Sequence, residues 1–213
     1  GRVLLVTGAL LSPTRRALVD DLAKVLPGLR HVACEPLAPA GAIESSIESF
    51  GEIILPRLRF DRADVIASFG SDFLGSEPSA PVAIREFSSR RRVRQRADSM
   101  NRLWVVEGNM TVTGANADHR LAVSPSASAA LAFALARALN QKHGIALPAG
   151  LDPAFLGEFE PAKIAGLLGI PRSLLDALAS DLAKAGRNAL VLAGRMMPAP
   201  LHTACALLNR MLG

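Results

Sequence analysis

Two stretches of this chain set polar side chains at the ends of apolar runs, the places where α/β proteins carry their chemistry. The first is R-F-D-R-A-D-V-I-A-S-F-G-S, from Arg59 to Ser71, and the second is T-G-A-N-A-D-H-R, from Thr113 to Arg120. Parallel sheets bind ligands outside the carboxyl ends of their strands, so the residues just after each apolar run are the candidates for contact. They are Gly8 to Ser12, Gly70 to Gly75, Glu107 to Asp118 and Gly194 to Met197. Gly70, Ser71 and Asp72 combine a backbone that can approach a phosphate with a hydroxyl and a carboxylate able to hold ribose or pterin polar groups. The same three residues also read as a turn closed by an Asx or Ser cap. The fingerprint G-x-G-x-x-G is absent: the first run ends T-G-A-L-L-S with a single glycine, which argues against an ordinary nicotinamide dehydrogenase.

Other chemistries find little support. His31, His119, His143 and His202 show no H-x-x-H or H-E-x-x-H spacing. His119, beside Asp118, reads either as a proton carrier or as a surface or capping histidine. Cys34 and Cys205 stand far apart, so this segment holds neither a zinc site nor an iron–sulfur cluster by itself. Both are expected to be buried and inert, with a single disulfide as the alternative. Met110, Met196 and Met197 read as packing, and no serine stands in G-x-S-x-G. The run Arg90-Arg91-Arg92-Val93-Arg94-Gln95-Arg96 accounts for a net charge of +5. Nucleic-acid binding pairs such charge with stacking aromatics, and this chain has no Tyr and one Trp. A solvated loop or helix end is the plain reading, followed by docking onto an acidic subunit or anionic headgroups.

The elements that must position these residues follow from apolar periodicity and punctuation. Val3 to Thr7 reads as a strand, Pro13 to Leu26 as a helix entered through Ser12, and Arg30 to Cys34 as a second strand. Ile43 to Phe50 reads as a helix, Ala63 to Phe69 as a strand, Pro81 to Arg91 as a helix and Leu103 to Glu107 as a strand. Gln141 to Pro153 looks like a linker. Beyond it, helices are predicted over Pro161 to Leu168 and Pro171 to Ala185, a strand over Ala189 to Ala193 and a helix over Leu201 to Leu212. Short apolar strands alternating with helices predict an α/β fold, a Rossmann-like and mostly parallel sheet covered on both faces. Residues 1–140 are expected to form one α/β domain, and 141–213 its continuation or a second lobe. No window has the roughly 18 apolar residues a bilayer helix needs. The start at Gly1-Arg2, directly on a strand, suggests a piece of something longer.

The segment L-W-V-V-E-G-N-M-T-V-T-G-A-N-A-D-H-R-L-A-V-S-P-S-A-S-A-A-L-A-F-A-L, Leu103 to Leu135, resembles part of the molybdopterin oxidoreductases of the dimethyl-sulfoxide-reductase superfamily. There a strand ends in an acidic residue, a T-x-x-x-A-D element follows, and a short strand leads through Pro into a helix. Upstream, Phe50 to Gly75 is similar to the fused molybdopterin-like and iron–sulfur subunit of quinol-oxidising alternative complex III. Pro171 to Arg195 resembles the later helix and strand of the same family.

The resemblance implies a domain of a respiratory electron-transfer subunit that binds, or formerly bound, a molybdopterin guanine dinucleotide. Gly70, Ser71 and Asp72 match one strand-end cofactor element, and Glu107, Thr113 and Asp118 match the second. Implied partners are other domains of a longer chain and the iron–sulfur and membrane subunits of a complex, with a membrane-associated, periplasmic location through them. The departures are V-E-G-N where active relatives carry a D-P pair, and S-P-S-A-S, whose Ser126 and Ser128 replace the usual acidic helix start. A cofactor-free scaffold is the alternative implied by the closest branch, and an independent nucleotide-binding domain a weaker one. No recognisable metal-ligating Cys or Ser is present.

Overall fold

The computed structural model describes residues 1–213, which divide into two compact units, Gly1–Ala38 and Pro39–Gly213. In the first unit, strand β1 (Val3–Thr7) and strand β2 (Leu29–Ala33) pair in parallel, Val3 opposite Leu29 and Thr7 opposite Ala33. Helix α1 (Pro13–Val25) joins them. It begins where Ser12 accepts a hydrogen bond from the Arg15 amide and Pro13 fills the first turn, where its missing N–H costs nothing. Cys34, expected in the interior, is exposed just past β2, because it lies beyond the last paired residue; Cys205 is buried, and both are free thiols.

The second unit is built on four parallel strands in the order β5-β4-β3-β6. These are β3 (Val65–Phe69), β4 (Arg102–Glu107), β5 (His119–Ala122) and β6 (Ala189–Ala193). All of β3 is buried, as a strand covered on both faces must be. The side-chain period of two divides its residues between two cores. Ala67 and Phe69 join Trp104, Val106, Leu131 and Leu135 on one face. Ile66 joins Leu103, Val105, Phe60, Phe73 and Phe87 on the other.

Helix α2 (Ala40–Phe50) precedes β3, and α3 (Ala80–Ser89) carries the chain from β3 to β4. The short α4 (Val112–Ala115) lies between β4 and β5. Helix α5 (Pro125–His143) follows β5 and then come α6 (Pro153–Gly157), α7 (Pro161–Leu168) and α8 (Arg172–Ala185) before β6, with α9 (Ala199–Leu212) closing the chain. The alanines of α5 let it lie close to its neighbours, and nine of its residues are buried.

The proposed boundary at residue 140 falls inside α5, which runs to His143 before Gly144 ends it with φ of 67°. Residues 141–213 continue the same unit, because β6 pairs with β3 along its whole length, Val65 opposite Ala189 and Phe69 opposite Ala193. Since β3 leads through α3 to β4 on one side while β6 flanks it on the other, the connections diverge between β3 and β6. That is the switch point at which open parallel sheets take ligands.

Candidate functional site

The carboxyl ends of β3, β4 and β6 converge on a cluster of glycines and carboxylates. At the switch point Gly70 adopts φ of 63°, a conformation that only glycine takes without cost, and turns the chain away from the sheet. Opposite it, Gly194 donates from its backbone N–H to the Phe69 carbonyl at 2.8 Å. A side chain on Gly194 would overlap the backbone carbonyl of Gly70, and one on Gly70 would overlap the tip of Met197. The crevice between the two strand ends is therefore closed at the width of a single carbon.

Glu77 occupies its mouth. Its carboxylate accepts from the Arg195 amide at 3.1 Å and from the Ser71 hydroxyl at 3.4 Å. Those two donors sit where a ligand anion would meet such a sheet. His202, on α9, carries a buried Nε2 with no partner. Burial holds its imidazole below the usual histidine pKa, outweighing the opposite influence of the Gly194 and Met197 carbonyls and of Glu77. It is thus neutral at pH 7 and offers no fixed positive charge to a phosphate.

Asp72 and Thr113 link the first strand end to the second. One Asp72 oxygen accepts from the Thr113 amide at 3.0 Å and the Thr113 hydroxyl at 2.9 Å, and the other accepts from the Ser76 amide at 2.9 Å. The Thr113 hydroxyl in turn accepts from the Leu74 amide at 3.0 Å. Burial would raise the Asp72 pKa, but these donors together outweigh it and hold the carboxyl below the ordinary range.

Glu107, at the end of β4, is 4 % exposed and pairs with Arg120 at 2.7 Å. It also accepts from the Thr111 hydroxyl at 2.8 Å, while Thr111 caps α4 by accepting from the Gly114 amide at 3.0 Å. Gly114 has to be glycine, because a Cβ would fall inside the Glu107 carboxylate. A cavity of about 170 Å³ remains beside Glu107, walled by Gly70, Thr111, Pro125, Ser128 and Met197. Ser128 is spent on the Ser124 carbonyl at 3.0 Å and Ser126 on the Ser124 hydroxyl at 3.0 Å, so the serines at the start of α5 serve the helix itself.

Five of the six sequence-predicted site residues, Gly70, Ser71, Asp72, Glu107 and Thr113, thus lie together at the carboxyl edge. Asp118 does not join them. Parallel pairing requires the chain to return to the amino edge before β5 begins at His119, and Asp118 ends up there. It accepts from the Leu103 amide at 2.7 Å and holds the Arg91 guanidinium at 3.0 and 2.5 Å. His119 stacks on Trp104 with ring centroids 4.0 Å apart. No three His, Cys, Asp or Glu side chains gather as a metal-ligand set, and no helix is long and apolar enough to cross a membrane.

Glu77 was not evident from the sequence, whereas Arg195 lies in the strand-end stretch Gly194 to Met197 and Arg120 closes the stretch Thr113 to Arg120, though neither was singled out. In the structure Arg120 lies two residues before Ala122, the β-partner of Glu107, which makes it the diagonal neighbour on the same face.

Two carboxylates, one at each edge of the sheet, give the protein a defined acid response. The native pKa values of Asp72 and Asp118 lie below their unfolded values. For Asp118, burial opposes the shift, and the bonds from Arg91 and the Leu103 amide outweigh it. Both groups therefore contribute stability that is complete above about pH 4 and is lost as pH falls from there through the native pKa. Asp72→Asn is expected to shallow the fall of unfolding free energy below about pH 4. An unchanged acid limb in urea titrations would show that Asp72 carries none of it.

No protein-family model matches the chain, and no curated protein matches it by sequence. Among solved structures, acetylene hydratase from Pelobacter acetylenicus is similar, with a TM-score of 0.67 at 14 % identity. The alignment covers 99 % of this chain and 29 % of that one. The likeness shows the fold, and this chain spans less than a third of the length of that protein.

Proposed function

We propose that this chain is a domain of a molybdopterin-oxidoreductase-type subunit of a respiratory electron-transfer complex, in which the α/β core serves as a framework and the strand-end site takes no pterin cofactor. The motifs from Phe50 to Gly75 and Leu103 to Leu135 support the family part of this reading. The fold likeness to acetylene hydratase supports its α/β architecture. The single observation that carries the cofactor-free part is Glu77, which already occupies the Ser71 and Arg195 donors at the switch point.

The residues present do not fit a pterin guanine dinucleotide in this arrangement. A cavity of about 170 Å³ lies below the roughly 300 Å³ at which small-molecule pockets begin. Asp72 and Glu107, the carboxylates the resemblance would assign to cofactor contact, are engaged with Thr113, Ser76, Thr111 and Arg120. A phosphate would also meet the Glu77 carboxylate, a like charge that repels it. In this reading the redox chemistry sits in other domains, and the core holds them and neighbouring subunits in register.

The second reading, a retained cofactor, is favoured by one feature. Gly70 is covered by the flexible end of Met197 rather than by backbone, so that part of the crevice opens by a side-chain rotation. Metal and pterin content of the full native protein separates the two. The framework reading expects neither molybdenum nor tungsten and no fluorescent oxidised pterin; about one metal and two pterins per chain would sink it.

A further inference from the structure

The strongest feature outside the carboxyl edge is the loop from Arg90 to Asn101, which joins α3 to β4 at the opposite, amino-terminal edge of the sheet. Its two ends are fastened. The Arg90 guanidinium pairs with Asp64, Arg91 forks onto Asp118, and the Asn101 amide donates to the Arg90 carbonyl at 3.3 Å. Its tip is folded as well, since the Asp98 carboxylate accepts from the Arg94 and Gln95 amides at 2.7 and 3.1 Å.

What this frame displays is a set of guanidinium groups outside any ion pair, with Asp98 the one carboxylate among them. Arg92, Arg94 and Arg96 are exposed, and none takes part in any of the chain's ion pairs. Arg62, just before β3, and Arg187, just before β6, add exposed guanidinium groups to the same edge, which the Asp64 amide ties together by donating to the Asn188 carbonyl at 2.8 Å. At the root, the buried Nε of Arg90 and of Arg91 and both side-chain amide atoms of Asn101 have no partner within the chain. Val93 and Met100 lie exposed among the arginines.

We infer that this loop is a docking surface for a protein partner that presents a cluster of Asp and Glu carboxylates. The choice of residue supports a protein rather than a lipid surface. A point charge suffices for headgroups, and Lys supplies it as well as Arg. Here every basic residue of the run is arginine, whose planar fork grips carboxylates bidentately, and Arg and Met are enriched at protein interfaces where Lys is depleted. A loop held at both ends and at its tip also loses little entropy on docking, and its fixed spacing selects a fixed partner. The inference concerns the edge opposite the strand-end site and stands whether or not that site takes a cofactor.

The test uses the full protein and immobilised poly-L-glutamate as a stand-in for the acidic surface, with phosphatidylglycerol vesicles as the lipid probe. The triple variant Arg92→Gln, Arg94→Gln, Arg96→Gln is compared with the charge-matched Arg57→Gln, Arg85→Gln, Arg210→Gln, whose residues are exposed elsewhere. Affinity for poly-L-glutamate at low salt is expected to fall about ten-fold in the loop variant and less than about two-fold in the control, with the difference vanishing as salt screens the charges. Replacing the three arginines by lysine is expected to cost about three-fold, reading the loss of the fork at constant charge. Equal losses in the loop and control variants would reduce the effect to net charge and overturn the inference. Loop-dependent capture by phosphatidylglycerol vesicles without binding to poly-L-glutamate would overturn it in favour of a membrane surface.

Discussion

Gly194→Ala is expected to destabilise the protein by about 3 kcal/mol. The added methyl group would overlap the Gly70 carbonyl and press on the Ser71 amide. Both are backbone atoms at the end of the central strand β3, so no rotamer change relieves the overlap. Relief requires β3 and β6 to part at their carboxyl ends, which weakens the pairing of Phe69 with Ala193 and uncovers the Gly70 turn. The measurement is the denaturant midpoint of the variant against the parent at constant slope. The result also bears on function: a loss under about 1 kcal/mol would mean that the strand ends separate easily, and the crevice could then admit a ligand that the closed form excludes.

Glu107→Ala is expected to cost about 3 kcal/mol, the lower end of the range for removing one member of a buried ion pair. The charge left behind is that of Arg120, whose side chain is 24 % exposed and so recovers part of its hydration. The Thr111 hydroxyl loses its acceptor at the same time, which loosens the turn leading into α4. The double variant Glu107→Leu with Arg120→Met removes both charges and is expected to regain more than half of the loss, because the cost lies mostly in the stranded guanidinium. If the double variant is as unstable as Glu107→Ala, the ion pair is not what Glu107 contributes, and a direct ligand role for this carboxylate would return to consideration. A thermodynamic cycle over the two single variants and the double reads the coupling directly.

Both substitutions test one physical claim, that the strand-end cluster is closed and its carboxylates are satisfied from within the chain. Each carboxylate there has its donors supplied by the chain: Asp72 by Thr113 and Ser76, Glu77 by Arg195 and Ser71, Glu107 by Arg120 and Thr111. Buried polar groups that are already paired gain little from a ligand and lose their partners if one enters. A framework built this way keeps its shape without a cofactor, as the framework reading proposed above requires.

Residue types and their spacing encode the local order. The apolar runs of β1, β3, β4 and β6, the Ser12 and Pro13 start of α1 and the residues after each strand were legible because they depend on neighbours a few positions away. The parallel α/β class followed from strands bounded by helices. So did the grouping of Gly70, Ser71, Asp72, Glu107 and Thr113, because parallel strands must end on one edge. The short β5 lay below what periodicity resolves and was visible only through family resemblance, and the single turn of α4 was not expected. Tertiary structure alone decided the rest. The pairing of β6 with β3 joined residues 141–213 to the sheet and created the switch point. The return of the chain to the amino edge removed Asp118 from the site and gave it to Arg91. The filling of the crevice by Glu77 and Met197 depends on segments more than a hundred residues apart in the chain meeting at a distance set by the packing of α3 and α9 on opposite faces of the sheet. Hydrogen-bond saturation and the closure of a crevice are properties of distances between elements, and no residue type or spacing along the chain encodes them by itself.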